Sequence, residues 1–130
     1  MIEEQRFPAD PGQLVYVRNF ITRRATADSF SANLTDLLIA VSEACANAIL
    51  HSGTREMVVR WMPEGDTVEI TVEDHGVFRP NISVPELDGI GHRGIHLMLA
   101  SMDEVAIRQG TRERPGTTVR LVKRKIRQPA

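Results

Sequence analysis

The chain has 130 residues, 42% hydrophobic and 25% charged, and its 16 Lys and Arg against 17 Asp and Glu leave a net charge of −1. That length and balance suit a single globular domain spanning residues 1–130 and exclude a disordered tail. Cys45, the only cysteine, excludes a disulfide framework or a cysteine zinc cluster. No run approaches the roughly 18 apolar residues of a membrane helix, and the acidic start Met1–Arg6 is unlike a signal peptide, so a cytoplasmic protein with no membrane partner is expected.

In chain order, Gln5–Ala9 reads as a short extended segment. Asp10-Pro11 then makes a helix start, with Asp as cap and Pro at the first helical position. A first helix is predicted over Pro11–Arg24, where Leu14, Val17, Phe20 and Ile21 recur at helical spacing. Ser29-Phe30-Ser31 punctuates the chain, and a second helix is predicted over Ala32–Ser52, ended by Gly53. Its apolar stripe is Leu34, Leu37, Leu38, Val41, Cys45, Ala48 and Ile49. The period then changes to that of strands. Glu56–Met62 and Thr67–Asp74 flank a turn at Pro63-Glu64-Gly65-Asp66, and Val68, Ile70 and Val72 alternate with Thr67, Glu69, Thr71 and Glu73. This predicts a hairpin with one dry face and one wet face. His75–Gly91 reads as a loop, Arg93–Met102 as a short helix, and Glu104–Gln109 with Thr117–Lys125 as a closing antiparallel pair. The fold class is therefore α+β: a two-layer sandwich with helices on one face of a mixed, mostly antiparallel sheet.

Four sets of residues carry candidate chemistry. On the second helix, Glu43, Asn47 and His51 are spaced i, i+4, i+8 and share a face bordered by Ala40, Ala44, Ala46 and Ala48. A carboxylate and a carboxamide one turn apart suit a divalent ion, or a proton acceptor beside a metal ligand. Asp74-His75-Gly76 places a carboxylate at a strand end, beside a glycine that lets a ring approach the backbone. Gly89-Ile90-Gly91-His92-Arg93-Gly94 stands before a helix, where unpaired amides form an anion site and Arg93 adds a fork-shaped donor. Gly116-Thr117-Thr118 enters the last strand. Taken singly, each set also has a plain structural reading: a solvated helix face, an Asp-x-Gly turn, a helix-leading loop, a strand start. The only lysines are Lys123 and Lys125, which excludes a Walker A loop and the strand lysine of eukaryotic-type kinases.

In this order and on these elements, the four sets resemble the nucleotide-binding boxes of the GHKL ATPase superfamily. The resemblance is greatest to the anti-sigma-factor serine/threonine kinases of bacterial partner-switching modules. It is carried by the segments Ala40–Ile49 and Leu99–Val105 and by the start Phe7–Pro11, and it covers residues 5–125. It implies the GHKL (Bergerat) fold, ATP and Mg²⁺ as cofactors, and transfer of phosphate to a serine or threonine of a small anti-anti-sigma (STAS-domain) protein. A sigma factor is the implied second partner and a homodimer the implied assembly. Residue by residue, Glu43 would be the general base, Asn47 the Mg²⁺ ligand, and Asp74 the acceptor for the adenine amine. Gly76 would pack beside the ring, Thr117 would support Asp74 through water, and the amides around Gly91–Gly94 with Arg93 would hold the phosphates. The loop Val77–Asp88 would close as a lid.

The chain departs from the family pattern in two places. Phe78 stands where a second small residue follows Asp-x-Gly, and His92 falls on the first glycine of the family's G-x-G, with Gly91 one place early. A regulatory module that acts through nucleotide occupancy alone, or a switch kinase that activates a phosphatase, therefore stands as the alternative. The charge is also uneven: residues 1–107 sum to −8 and residues 108–130 to +7. Alone, that basic end reads as a nucleic-acid arm. On a final strand where Val119 and Leu121 face inward, it reads instead as a solvated edge that blocks edge-to-edge pairing, or as a docking face for an acidic protein, without direct nucleic-acid contact.

Overall fold

The computed structural model describes residues 2–51, 53–76, 90–111 and 113–126, and the side chains of all of these except 51 and 90–93. β1 (Glu3–Pro8) leads through a 3₁₀ turn into α1 (Leu14–Ala27), and a second 3₁₀ turn at Ser31–Asn33 opens α2 (Leu34–His51). The hairpin of β2 (Glu56–Glu64) and β3 (Thr67–Asp74) follows, then α3 (Ile90–Ser101), β4 (Glu104–Gln109) and β5 (Thr117–Arg124).

The strands form one sheet in the order β1-β2-β3-β5-β4. Among the described residues all four pairings are antiparallel, so the expected mixed sheet is corrected there to an antiparallel one. β4 does run parallel to β3, but its hairpin folds β5 into the gap between them and the two never pair. The same insertion removes the edge role expected for the basic last strand, because β5 lies inside the sheet. Two of its basic residues, and Lys125 just beyond it, are engaged instead. Lys123 reaches Asp36 of α2 (3.1 Å) and the Ser101 carbonyl at the end of α3 (2.7 Å), Arg120 pairs with Glu69, and Lys125 lies 4.7 Å above the Phe30 ring.

The helices cover one face of the sheet. From β1 to β5, Phe7, Met57, Val59, Trp61, Val68, Ile70, Val72, Val119 and Leu121 join Val17, Phe20 and Ile21 of α1, Leu37, Val41 and Cys45 of α2, and Met98 of α3 in one core. The segment Ser31–Leu50 is, against expectation, long and apolar enough by composition to pass as a membrane span, with mean hydropathy 1.3. In this fold its stripe of Leu37, Ala40, Val41, Ala44, Cys45 and Ala48 is buried in the core. The opposite sheet face is drier than its polar alternation suggests. Thr71 is buried there, flanked in register by Arg60 and Arg120, whose apolar stems can cover it.

Local boundaries shift for identifiable reasons. Asp10 makes no side-chain cap; its carbonyl accepts the Gln13 N–H instead. α1 runs past Arg24 to Ala27 and ends on Ser29 at φ 66°, with the Phe30 N–H closing on the Ala25 carbonyl. Pro63 lies in β2 opposite Val68, not in the turn, because β1 pairs only as far as Trp61 and leaves β2 locally an edge. The turn is Gly65-Asp66 alone, with Gly65 at φ 59°. α3 begins three residues earlier than expected, at Ile90.

Candidate functional site

The periodicity of α2 places Glu43 and Asn47 one turn apart, and both side chains are partly buried. What approaches them is the first part of α3. Gly94 lies so close that a Cβ built on it would stand 2.9 Å from Glu43 Oε2 and 3.8 Å from Asn47 Oδ1. Glu43, Asn47 and Gly94 thus form one cluster, drawn from residues half a chain apart. A neighbouring contact was not legible in the sequence: Arg18 of α1 donates from Nε to the Ser42 hydroxyl at 3.1 Å, beside Glu43.

The second cluster sits at the end of β3. Asp74 shares the inner face of β3 with Val68, Ile70 and Val72 and is only 5% exposed. Its Oδ1 accepts the Gly76 N–H at 3.1 Å, and Thr117 is its register partner on β5. Burial is the largest influence on the Asp74 carboxyl and holds its pKa above the ordinary value, with the backbone N–H groups of Gly76 and Thr117 opposing it. Gly76 is itself buried and brings no side chain of its own to the carboxylate.

Two further residues shape this turn. The Thr54 hydroxyl accepts the His75 N–H at 3.2 Å and so pins the chain just after Asp74. Gly116 holds φ 133°, and a Cβ there would stand 2.5 Å from the Asp74 carbonyl oxygen. Glycine is required at 116 on both counts. Thr54 carried no sequence signal, since its partner is a backbone group supplied by the fold.

Gly91 and His92, expected ahead of the helix, lie with Arg93 and Gly94 inside the first turns of α3. The first amides of a helix lack intrahelical partners, so backbone donors remain at this end. The side chains of Arg93, His92 and His51 lie outside the described residues, as do Phe78, Gly89, Ser52 and the expected lid Val77–Asp88. Among the described residues, no group of three or more His, Cys, Asp and Glu side chains is placed to hold a metal ion. The donor set fits Mg²⁺ held by few protein ligands, because that ion commonly keeps waters and takes the rest of its shell from substrate phosphates.

Comparison with known proteins bears on this arrangement. Residues 7–123 match the histidine kinase-like ATPase domain family. The serine-protein kinase RsbW of Bacillus licheniformis is 32% identical over 92% of this chain and 83% of its own length. The anti-sigma F factor of Anoxybacillus flavithermus is 35% identical over 76% of this chain and 75% of its own. Among solved structures, one of the RsbU and RsbW domains of a Mycobacterium tuberculosis protein superposes with a TM-score of 0.68 at 21% identity, covering 94% of this chain and 32% of that one. That likeness bears out the expected α+β fold of GHKL type. With the helix box, the Asp-x-Gly turn and the glycines of α3 all inside the matched span, the chain belongs to the histidine kinase-like ATPase domain family.

Proposed function

We propose that this protein is a cytoplasmic serine/threonine protein kinase and anti-sigma factor of a partner-switching module. In this reading one domain uses Mg-ATP to phosphorylate a small STAS-domain anti-anti-sigma protein, and otherwise sequesters a sigma factor as a homodimer. The observation that carries it is the pairing of Glu43 with Asn47 on α2 under the start of α3, together with the buried Asp74 carboxylate. The names of the relatives, serine-protein kinase and anti-sigma factor, support the same reading.

The residues divide the work. The Asp74 carboxylate accepts from the exocyclic amine of adenine, and the bare Gly76 leaves room for the ring. Thr117, the register partner of Asp74 on β5, would support that carboxylate through water. The amides around Gly91–Gly94, with Arg93, would hold phosphate oxygens, and Asn47 would ligate Mg²⁺. Bound Mg-ATP supplies the phosphoryl group and the divalent charge that neutralises the phosphates. Glu43 accepts the proton of the incoming seryl or threonyl hydroxyl. Such transfer depends mainly on alignment and charge neutralisation, which explains how a site without lysine can suffice.

The test is incubation with γ-labelled ATP, Mg²⁺ and a panel of STAS-domain proteins. Label on a serine or threonine of one of them, lost in Asn47→Ala, is the expected result. Nucleotide binding without transfer to any panel member would leave regulation by occupancy as the function.

A further inference from the structure

Gly94 is the fifth residue of α3, and its position poses a problem of conformation. It lies in helical backbone and is not among the glycines with positive φ, so nothing in its dihedrals calls for glycine. Glycine inside a helix costs about 1 kcal/mol relative to alanine. The one thing it offers there is the missing Cβ.

The space that Cβ would take is already filled. A Cβ at 94 would stand 2.9 Å from Glu43 Oε2, against 3.4 Å for the start of ordinary contact, whereas both polar atoms of Asn47 stay at ordinary distances of 3.8 and 3.9 Å. A side chain at 94 therefore conflicts with one group, and that group is the tip of a flexible side chain. Alanine at 94 leaves the helix intact and pushes the Glu43 carboxylate away by about half an ångström, the difference between those two distances.

We infer that Gly94 is a positioning residue for Glu43: by lacking a Cβ it seats the Glu43 carboxylate against α3 and sets where that carboxylate meets the incoming hydroxyl. This role of the missing Cβ acts through Glu43 and is separate from the phosphate contacts proposed for the backbone amides around Gly91–Gly94. It rests on the kinase reading for its kinetic consequence, but its steric half stands on the fold alone.

Gly94→Ala separates the two roles. Misplacement of a reacting group by about 1 Å can cost roughly a hundredfold in rate, so half that displacement should lower kcat by about tenfold. KM for ATP should stay within about twofold, since no nucleotide contact is removed. A rise in KM with kcat unchanged would assign Gly94 to the phosphates and overturn the inference, as would two unchanged constants. A double-mutant cycle with Glu43→Asp adds a second check. The shorter side chain avoids the alanine, so the two losses should be strongly non-additive, and additivity overturns the coupling. Finally, the Glu43 carboxyl carbon can be followed by NMR in the nucleotide-free chain. Its resonance should move in Gly94→Ala while the circular dichroism spectrum does not. An unmoved resonance overturns the inference even if the chain transfers no phosphate at all, and a moved one in a chain without transfer sinks only the kinase reading.

Discussion

Replacing Asp74 by asparagine should weaken nucleotide binding while leaving the fold as stable as before or more so. The side chain is only 5% exposed, and burial, opposed by the Gly76 and Thr117 N–H donors, holds its pKa above the ordinary 3.8. Asparagine can still accept the Gly76 N–H through its oxygen, but it turns an amide donor toward the adenine amine, itself a donor. Losing a hydrogen bond to a charged acceptor costs about 1.5–3 kcal/mol, so affinity for ATP should fall by roughly 10- to 150-fold in calorimetric titration. Preference for adenine over guanine should fall with it, because guanine offers an acceptor at that position. The stability arm has a definite sign. The folded chain binds the Asp74 proton more tightly than the unfolded chain does, so Asp74 contributes stability at low pH. That contribution is lost as pH rises from 3.8 through the raised folded value. The Tm of Asp74→Asn relative to wild type should therefore climb across that window and then level off. Undiminished ATP affinity, or a Tm difference that shrinks as pH rises, would refute the reasoning.

Four further outcomes follow from local geometry. Gly116→Ala adds a left-handed strain and a Cβ 2.5 Å from the Asp74 carbonyl, which together should cost about 2–4 kcal/mol and lower Tm by roughly 7–15 °C in a thermal melt. Lys123→Met removes the bonds to Asp36 and to the Ser101 carbonyl and should cost about 1–3 kcal/mol by urea unfolding. Arg120→Met, which loses only an exposed ion pair with Glu69, should cost under about 1 kcal/mol in the same assay. Cys45 is fully buried, and burial pushes its thiol up to about 12. At pH 8 the native chain should react with a thiol reagent on the order of 10³-fold more slowly than a free cysteine, from thiolate fraction alone.

How much was legible in the sequence depended on how local each signal was. The α2 stripe and the shared face of Glu43 and Asn47 follow from a period of 3.6 within one element, and both hold in the structure. The alternation of Val68, Ile70 and Val72 fixed the dry face of β3 in the same way. The start of α3 differs from the expected Arg93 because Gly91 has poor helix propensity, and the packing of α3 against α2 that overrides it joins distant segments. Pro63 read as a turn residue because nothing nearby reveals that β1 stops short of it. The place of β5 inside the sheet could not be read from its basic residues, since strand order is set by which hairpin inserts where. At the site, Asp74 and Gly76 were visible as a local turn. The seat of Glu43 on Gly94 and the hold of Thr54 on the His75 amide are contacts between elements, and local patterns carry no trace of them.

The central claim is that Glu43 serves transfer and not nucleotide binding in an ATP-dependent kinase. A single-turnover experiment tests it most directly: wild type and Glu43→Ala, each saturated with γ-labelled Mg-ATP, are mixed with a STAS-domain protein that wild type labels. Removing a general base typically costs about 10²–10⁴-fold in rate. The expected result is that Glu43→Ala holds ATP as tightly as wild type yet labels the partner at least about a hundredfold more slowly. Equal labelling rates in the two chains would contradict the assignment.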